Sequence, residues 1–194
     1  MRNRKRRYRR PRSGDKNGGR IVKEVAIWAG EILIVIALAG ILVYFFGVRV
    51  PVTGQSMYPV LDNGDQVLVN RFIPHLIQPK ANDIIAFLPN GNQQSHYSIK
   101  RVIAVPGDTV QIKDGKIYVN DELFVDVNPR PLIENAYLAE EPVTVGEDEY
   151  FVLGDNRNSS EDSRYANIGN IKREYIKGKA WFIIAPFTKI GGLK

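Results

Sequence analysis

The 194-residue sequence contains no cysteine, and this absence excludes several kinds of chemistry. Disulfide bonds, thiolate zinc sites and cysteine nucleophiles are all ruled out. Histidine is nearly absent as well, since the chain has only His75 and His96. Both lie among polar loop residues, and the surface is the ordinary place for such histidines. A catalytic base must therefore be sought first among other residue types.

Acidic residues are almost missing from the amino-terminal end. Ten of the 27 Lys and Arg residues but only one of the 21 Asp and Glu residues lie in positions 1–20, so the rest of the chain has a net charge of −3. The basic character therefore belongs to a tail and not to the folded domain. Such a tail fits a nucleic-acid arm, a targeting signal or the cytoplasmic flank of a membrane span.

The segment after the tail favours the membrane interpretation. Residues 26–46 form a run of 21 residues whose only charge is Glu31. A helix of this length, at about 1.5 Å per residue, spans about 31 Å, which is the thickness of a bilayer core. Trp28 and Tyr44 fit the two interfacial belts. The run is longer than the apolar region of a signal peptide, and no Ala-x-Ala site follows it in residues 47–51, so we expect an uncleaved anchor.

Three regions follow from this interpretation. We expect a basic cytoplasmic tail at residues 1–24, a transmembrane anchor at 25–47 and an extracytoplasmic domain at 48–194. The positive-inside tendency places the tail in the cytoplasm and the domain outside the plasma membrane. The tail then sets topology and attracts anionic lipid, so we expect the lipid bilayer as a partner and no nucleic acid.

The outer domain shows no helical periodicity over 12 residues, and its apolar segments are short and β-branched. The sequence Asp114-Gly115 between two such segments predicts a two-residue hairpin turn. Residues 127–142, rich in proline and acidic groups, are expected as an insertion between strands. The fold class is therefore mainly β, an antiparallel β-sheet domain preceded by one amino-terminal helix. The predicted strands are 65–70, 84–88, 99–105, 109–113, 116–119, 149–153 and 178–184.

Three segments carry candidate chemistry. In the first, Gly54 permits a tight turn that exposes the Ser56 hydroxyl, although most Gly-x-Ser segments are plain turns. In the second, Lys100 opens an apolar strand, where burial would lower its pKa enough for it to act as a base. The ordinary alternative is a solvated strand lysine. A triad of Ser56, His96 and an aspartate also stays open.

The third segment, residues 154–164 (GDNRNSSEDSR), is dense in short polar side chains. It fits a solvated turn, and it lacks the pattern of an EF-hand, so we expect neither a metal nor a cofactor. Its Asp and Arg residues can pair with each other, and its serines can orient a nearby amine. Such a loop suits the surroundings of a catalytic lysine.

Together these segments resemble the type I signal peptidase family of bacteria. Four motifs appear in family order after an anchor. They are residues 56–61 (SMYPVL), 64–69 (GDQVLV), 100–110 (KRVIAVPGDTV) and 154–164. A single span is similar to the Gram-positive or cyanobacterial arrangement. The resemblance implies a serine endopeptidase without cofactors, whose partners are the signal peptides of exported preproteins and which works beside the export translocon.

The resemblance also implies roles for individual residues. Ser56 would be the nucleophile, Lys100 the general base, and Ser160 the residue that orients the lysine amine. The surrounding loop would be held by Asp155, Asp162 and Arg164, and the site would be shaped by Met57, Pro59 and Gly54.

The sequence departs from the family pattern near the nucleophile and after the third segment. Some members carry Ser or Thr two residues before the nucleophile as an oxyanion donor, whereas this chain has Gly54. Val60 replaces a usual threonine, and residues 165–168 intervene before Gly169. The sequence leaves two alternatives to a general signal peptidase open. One is a dedicated accessory peptidase for one exported substrate, and the other is an inactive membrane-tethered binding module. A self-cleaving repressor-type protease shares the Ser–Lys chemistry but needs a DNA-binding domain where this chain has a span.

Overall fold

The computed structural model describes residues 16–70 and 78–193. The described residues form one α-helix, twelve β-strands and four short 3-10 helices. His75 and residues 1–15 of the basic tail lie outside them.

The α-helix, α1, runs from Lys16 to Phe46 and begins well before the predicted anchor. Its stretch Gly19–Leu42, 24 residues with a mean hydropathy of 2.5, is long and apolar enough to cross a membrane. None of this stretch is buried within the structure. Large apolar side chains such as Trp28 and Leu33 are exposed along it. A helix that exposes apolar groups on all sides is suited to lipid and not to water, so the predicted apolar helix is confirmed.

The strands follow α1 in chain order. They are β1 Val48–Pro51, β2 Gln66–Asn70, β3 Ile84–Phe87, β4 Ser98–Ala104, β5 Thr109–Lys113, β6 Lys116–Val119, β7 Glu122–Leu123, β8 Val143–Thr144, β9 Glu149–Leu153, β10 Ile171–Lys172, β11 Ile176–Ala185 and β12 Gly191–Gly192. The 3-10 helices are Pro89–Gly91, Tyr137–Glu140, Arg173–Tyr175 and Phe187–Lys189.

Two antiparallel sheets are built from these strands. The larger sheet has the order β1-β2-β11-β3-β4-β9-β10, and β12 pairs with β11. The smaller sheet has the order β7-β6-β5-β8. Strand β4 lies inside the larger sheet, paired with β3 on one side and β9 on the other. Residues 99–104 of β4 are buried on both faces of the sheet, and Lys100 is one of them.

The predicted mainly β class is confirmed, and all seven predicted strands are present within one or two residues of their expected ends. Asp114-Gly115 forms the expected turn between β5 and β6, with both residues at positive φ. The strands that sequence patterns missed are β1, β7, β8, β10 and β12. Each has at most four residues, too few to show an alternating pattern.

The buried side chains form three clusters, of which two bear on the site. One cluster joins Met57 and Leu61 to Val67 and Val69 of β2. Burying a side chain such as Met57 contributes about 2 kcal/mol, so this packing holds the segment around Ser56 against the larger sheet. A second cluster contains Ile103 of β4 and Val110 of β5 and packs the two sheets together.

Candidate active site

Ser56 lies in a tight turn between β1 and β2. The Tyr58 N–H donates to the Gln55 carbonyl oxygen at 3.1 Å, which closes the turn around the serine. Gly54, at φ +81°, donates its N–H to Asn63 Oδ1 at 2.9 Å. This is a left-handed conformation that favours glycine. Ser56 is partly exposed while Met57 is 1% exposed, so the turn presents the serine and buries its neighbour.

The loop of residues 154–164 holds this turn from the other side. The Asn156 N–H donates to the Ser56 carbonyl oxygen at 3.0 Å, and Asn156 Nδ2 donates to the Gln55 carbonyl oxygen at 3.2 Å. These two bonds fix the peptide groups on either side of Ser56. The sequence predicted that Ser56 and this loop share a site, but it did not indicate Asn156.

Gly154 lies where the turn and the loop approach most closely. A Cβ atom at this position would lie 2.2 Å from Ser160 Oγ and 2.5 Å from the Ser56 carbonyl oxygen. Both distances are far shorter than any real contact of a Cβ atom. Only glycine therefore allows the Ser160 hydroxyl and the Ser56 backbone to meet here.

Lys100 is buried on β4, opposite Ile85 of β3, and is only 6% exposed. Burial lowers the pKa of Lys100 from 10.5 to about 8, because the charged ammonium loses its hydration. The negative charges of Asp162 and Glu161 raise this pKa in part, and Arg164 lowers it. All three residues belong to the loop of residues 154–164. Lys100 therefore lies within the electrostatic field of the loop that contacts Ser56.

Ser160 is a second buried polar group in this region, with 6% of its surface exposed. Its Oγ atom has no hydrogen-bond partner among the described residues. A buried hydroxyl without a partner is uncommon and often has a functional explanation. Ser160 can both donate and accept, so it can bind either form of a lysine amine.

Asp162 and Arg164 hold the loop from within. Both carboxylate oxygens of Asp162 bind Arg164, with Oδ1 at 2.8 Å from Nε and Oδ2 at 3.0 Å from Nη2. Asp162 Oδ2 also accepts the Gly154 N–H at 3.1 Å. Arg164 Nη2 donates to the Arg157 carbonyl oxygen at 2.6 Å. This buried pair thus connects both ends of the loop, Gly154 and Arg164, around Ser160.

Asp155 is tied to the larger sheet by Arg101, the residue after Lys100. Arg101 Nε and Nη2 donate to the two Asp155 oxygens at 2.7 and 2.8 Å, and neither side chain is exposed. Arg101 Nη1 donates to the Asn82 carbonyl oxygen at 2.8 Å. A bidentate, buried pair of this kind gives one fixed geometry. It links the strand that carries Lys100 to the loop that carries Ser160.

The structure thus brings together Ser56, Ser160, Asp155, Asp162 and Arg164. Lys100 lies within the electrostatic field of the same loop. Gly54 and Pro59 are exposed in the serine turn. His96 is exposed in the loop before β4. Within residues 16–70 and 78–193, no group of three or more His, Asp or Glu side chains is arranged to hold a metal ion.

Sequence reasoning missed Arg101 and Arg130, both of which contact Asp155. Arg101 could have been identified from the sequence, because a charged residue inside an apolar strand needs a buried partner. Arg130 lies in an irregular proline-rich segment and carried no such signal. A cleft of about 760 Å³ lined by residues 146–149, 172–174 and Ile176 contains none of the predicted site residues.

The family model described as signal peptidase, peptidase S26, matches residues 25–185. Signal peptidase I of Bacillus amyloliquefaciens is 34% identical over 170 residues, which cover 84% of this chain and 89% of that protein. Signal peptidase I S of Bacillus subtilis is 34% identical over 176 residues, covering 87% and 93%.

Two further matches are a Synechocystis protein and a solved structure. Probable signal peptidase I-2 of Synechocystis is 33% identical over 146 residues, covering 72% of this chain and 64% of that protein. The crystal structure of a signal peptidase I from Enterococcus faecalis shares 32% identity at a TM-score of 0.40, covering 53% of this chain and 96% of that one.

Proposed function

The chain belongs to the signal peptidase family, peptidase S26, and from this premise we propose that it removes signal peptides from exported preproteins with Ser56 as nucleophile and Lys100 as general base. The observation that carries the proposal is the burial of Lys100, which lowers its pKa to about 8 within the electrostatic field of the loop that contacts Ser56. A lysine with this pKa is partly neutral near neutral pH and can accept a proton.

The reaction follows from these positions. Neutral Lys100 takes the proton of the Ser56 hydroxyl, and the alkoxide attacks the carbonyl carbon at the cleavage site. Protonated Lys100 then gives the proton to the departing amine, which leaves an acyl-enzyme on Ser56. Lys100, neutral again, activates a water that hydrolyses the ester. The unpartnered Ser160 hydroxyl orients the lysine amine through both steps.

The oxyanion of the tetrahedral intermediate needs donors aimed at it. We propose the Ser56 N–H as the main donor, because Gly54 has no hydroxyl to offer. The structure records no acceptor for this N–H among the described residues, and the bond from Asn156 to the Ser56 carbonyl oxygen keeps the adjoining peptide group fixed. An extended substrate would lie beside the site as an added strand, with small side chains at the first and third positions before the cut.

The location proposed for the reaction is the outer face of the plasma membrane, next to the export translocon. The basic tail supports this orientation, since Lys and Arg favour the cytoplasmic side of an anchor. Because the chain has no cysteine, single cysteines can be introduced at Ser13→Cys and Glu122→Cys. A membrane-impermeant maleimide should label only the second in intact cells. Labelling of Ser13→Cys alone would reverse the orientation.

The dyad is tested by single substitutions in the full chain, assayed on a preprotein in detergent. Ser56→Ala and Lys100→Ala should each abolish cleavage, while His96→Ala should keep at least half of the wild-type kcat/KM. Loss of activity in His96→Ala with activity kept in Lys100→Ala would replace the dyad by a histidine-based site. Cleavage of several unrelated preproteins indicates a general enzyme, and cleavage of one only indicates the dedicated alternative.

A further inference from the structure

A long segment between β7 and β8 lies along the loop of residues 154–164, and we call residues 124–140 of this segment the covering segment. Its backbone is bonded to the loop at several points. Asn158 receives the Glu134 N–H at Oδ1 and donates from Nδ2 to the Leu132 carbonyl oxygen, both at 3.0 Å. Arg164 donates from Nη1 to the Asn135 carbonyl oxygen at 3.1 Å. The segment is therefore fixed to the same loop that carries Ser160.

One charged side chain of the covering segment reaches deeper than the others. The Arg130 side chain is only 4% exposed, and its Nη2 lies 3.1 Å from Asp155 Oδ2. The geometry is that of an ion pair and not of a hydrogen bond, since Nε and Nη2 have no hydrogen-bond partner among the described residues. A guanidinium is rarely buried so completely without several hydrogen bonds, so its position needs an explanation.

The position of Asp155 supplies the explanation. Its carboxylate already receives two hydrogen bonds from Arg101, so the structure does not need Arg130 to neutralise it. The second guanidinium lies against the same oxygen, Oδ2, that Arg101 Nη2 binds. Asp155 is therefore held between the larger sheet and the covering segment. Its neighbours in the chain are Gly154 and Asn156, which contact Ser160 and the Ser56 carbonyl oxygen.

We propose that Arg130 is a positioning residue for the reaction, which fixes Asp155 from the outer side and thereby sets the place of Ser160 relative to Ser56 and Lys100. The proposal rests on the Ser56–Lys100 function proposed above. In physical terms, Arg101 holds Asp155 against β4, and Arg130 holds the same carboxylate from the covering segment. Because a shift of about 1 Å in such a site can cost a hundredfold in rate, a second contact on Asp155 has a measurable effect on catalysis.

A role in stability alone makes a different prediction. A residue that only stabilises the fold lowers the melting temperature and leaves kcat unchanged in the molecules that remain folded. A positioning residue lowers kcat with little change in KM, because the arrangement of the reacting groups is altered and the binding of the extended substrate is not. Its effect is also lost when the group that it positions is removed.

The test uses the full-length protein in detergent and steady-state cleavage of a preprotein. Arg130→Met keeps the length of the side chain and removes its charge, and Arg130→Lys restores the charge. We expect Arg130→Met to lower kcat at least tenfold with KM within twofold, and Arg130→Lys to recover at least a third of the wild-type kcat. Lys113→Met removes an exposed charge from β5 and serves as the matched control, with unchanged kcat. Should Arg130→Met not fold, Arg130→Gln is measured in its place with the same expectation.

A double-mutant cycle with Ser160→Ala completes the test. In the Ser160→Ala background, Arg130→Met should lower kcat by less than twofold, because the positioned group is already gone. A wild-type kcat in Arg130→Met, or the same tenfold loss in the Ser160→Ala background, overturns the proposal. Either result leaves the dyad intact if Ser56→Ala is inactive. An active Ser56→Ala variant instead refutes the proposed function itself.

Discussion

The pH dependence of cleavage gives the sharpest test of a lysine base. The pKa of Lys100 is lowered to about 8 by burial, so the lysine is protonated below this pH and neutral above it. Only the neutral form accepts a proton, and activity must therefore be lost as the pH falls through 8. With a pKa of about 8, roughly 9% of Lys100 is neutral at pH 7, against about 0.03% for a lysine at 10.5.

Glu161 offers a perturbation that leaves the site's contacts in place. Its negative charge raises the pKa of Lys100, and its side chain is exposed. Glu161→Gln keeps the shape and removes the charge, so the pKa of Lys100 should fall. Exposed charge pairs contribute about 0.2–1 kcal/mol, which corresponds to about 0.2–0.7 pH units. Cleavage at pH 7 should then rise about 1.5- to 4-fold, while the rate well above pH 8 should stay unchanged.

The assay is kcat/KM on a preprotein in detergent, measured from pH 6 to 10 at low ionic strength. Glu122→Gln on β7 makes the same chemical change far along the chain and should leave the profile unmoved. The shift in Glu161→Gln should shrink in 1 M salt, because the interaction of exposed charges is screened there. A profile that moves to higher pH in Glu161→Gln, or a wild-type profile with no loss of rate between pH 9 and 7, would refute the reasoning.

Three further predictions follow from the packing of the site and its flanks. Gly154→Ala should lower kcat at least a hundredfold, because its Cβ would meet Ser160 and the Ser56 carbonyl oxygen. The control Gly191→Ala should have near wild-type activity, because its Cβ would meet nothing closer than 3.9 Å. Equal activities of the two variants would contradict the close approach at Gly154. Lys100→Met should be inactive, yet it should be more stable to urea than the wild type by about 3 kcal/mol at pH 7. At this pH the folded wild type contains a buried, protonated Lys100, whose pKa falls from 10.5 to about 8 on folding. In the unfolded chain Lys100 keeps its proton up to about pH 10.5, whereas in the folded protein it loses the proton above about pH 8. The wild type therefore gains stability as the pH rises from 8, and the stability difference between Lys100→Met and wild type should vanish near pH 10.5. A stability difference independent of pH would indicate an effect of packing instead. Lys189→Met removes the partner of Asp62 and of the buried Asp65, and it should lower the free energy of urea unfolding by about 1–2 kcal/mol. Lys113→Met is the control and should leave this free energy unchanged. An equal loss in both variants would count against the contact.

Much of the fold was predictable because its longer strands carry an alternating or continuous apolar pattern. The strands around Lys100 and in the β5–β6 hairpin are examples, and each ends in a recognisable turn. The two-residue strands β7, β8, β10 and β12 form because neighbouring strands offer free backbone groups, which no local pattern records. Helix α1 begins at Lys16 because a helix continues into polar flanking residues beyond the apolar run.

The candidate site was predictable to a different degree for different residues. Ser56, Lys100 and Ser160 were identified by the order of motifs, which depends on resemblance and not on physics. The close approach of Ser56 and Ser160 depends on Gly154, whose role appears only when two distant segments meet. Arg130 could not be predicted, because its irregular segment gives no sign of what lies beneath it. A side chain that acts through a contact between distant segments leaves no local trace in the sequence.

The arrangement of charges in the loop of residues 154–164 explains how burial can dominate the pKa of Lys100. The loop contains the carboxylates Asp155 and Asp162, and unpaired carboxylates near a lysine would hold its ammonium form in place. Asp155 is instead bound by Arg101, and Asp162 is bound by Arg164. Arg164 offsets part of the field of Asp162, because it lowers the pKa of Lys100 while Asp162 raises it. The ion pairs of this loop therefore do more than fix its shape, since they keep the local charge low enough for the buried lysine to lose its proton.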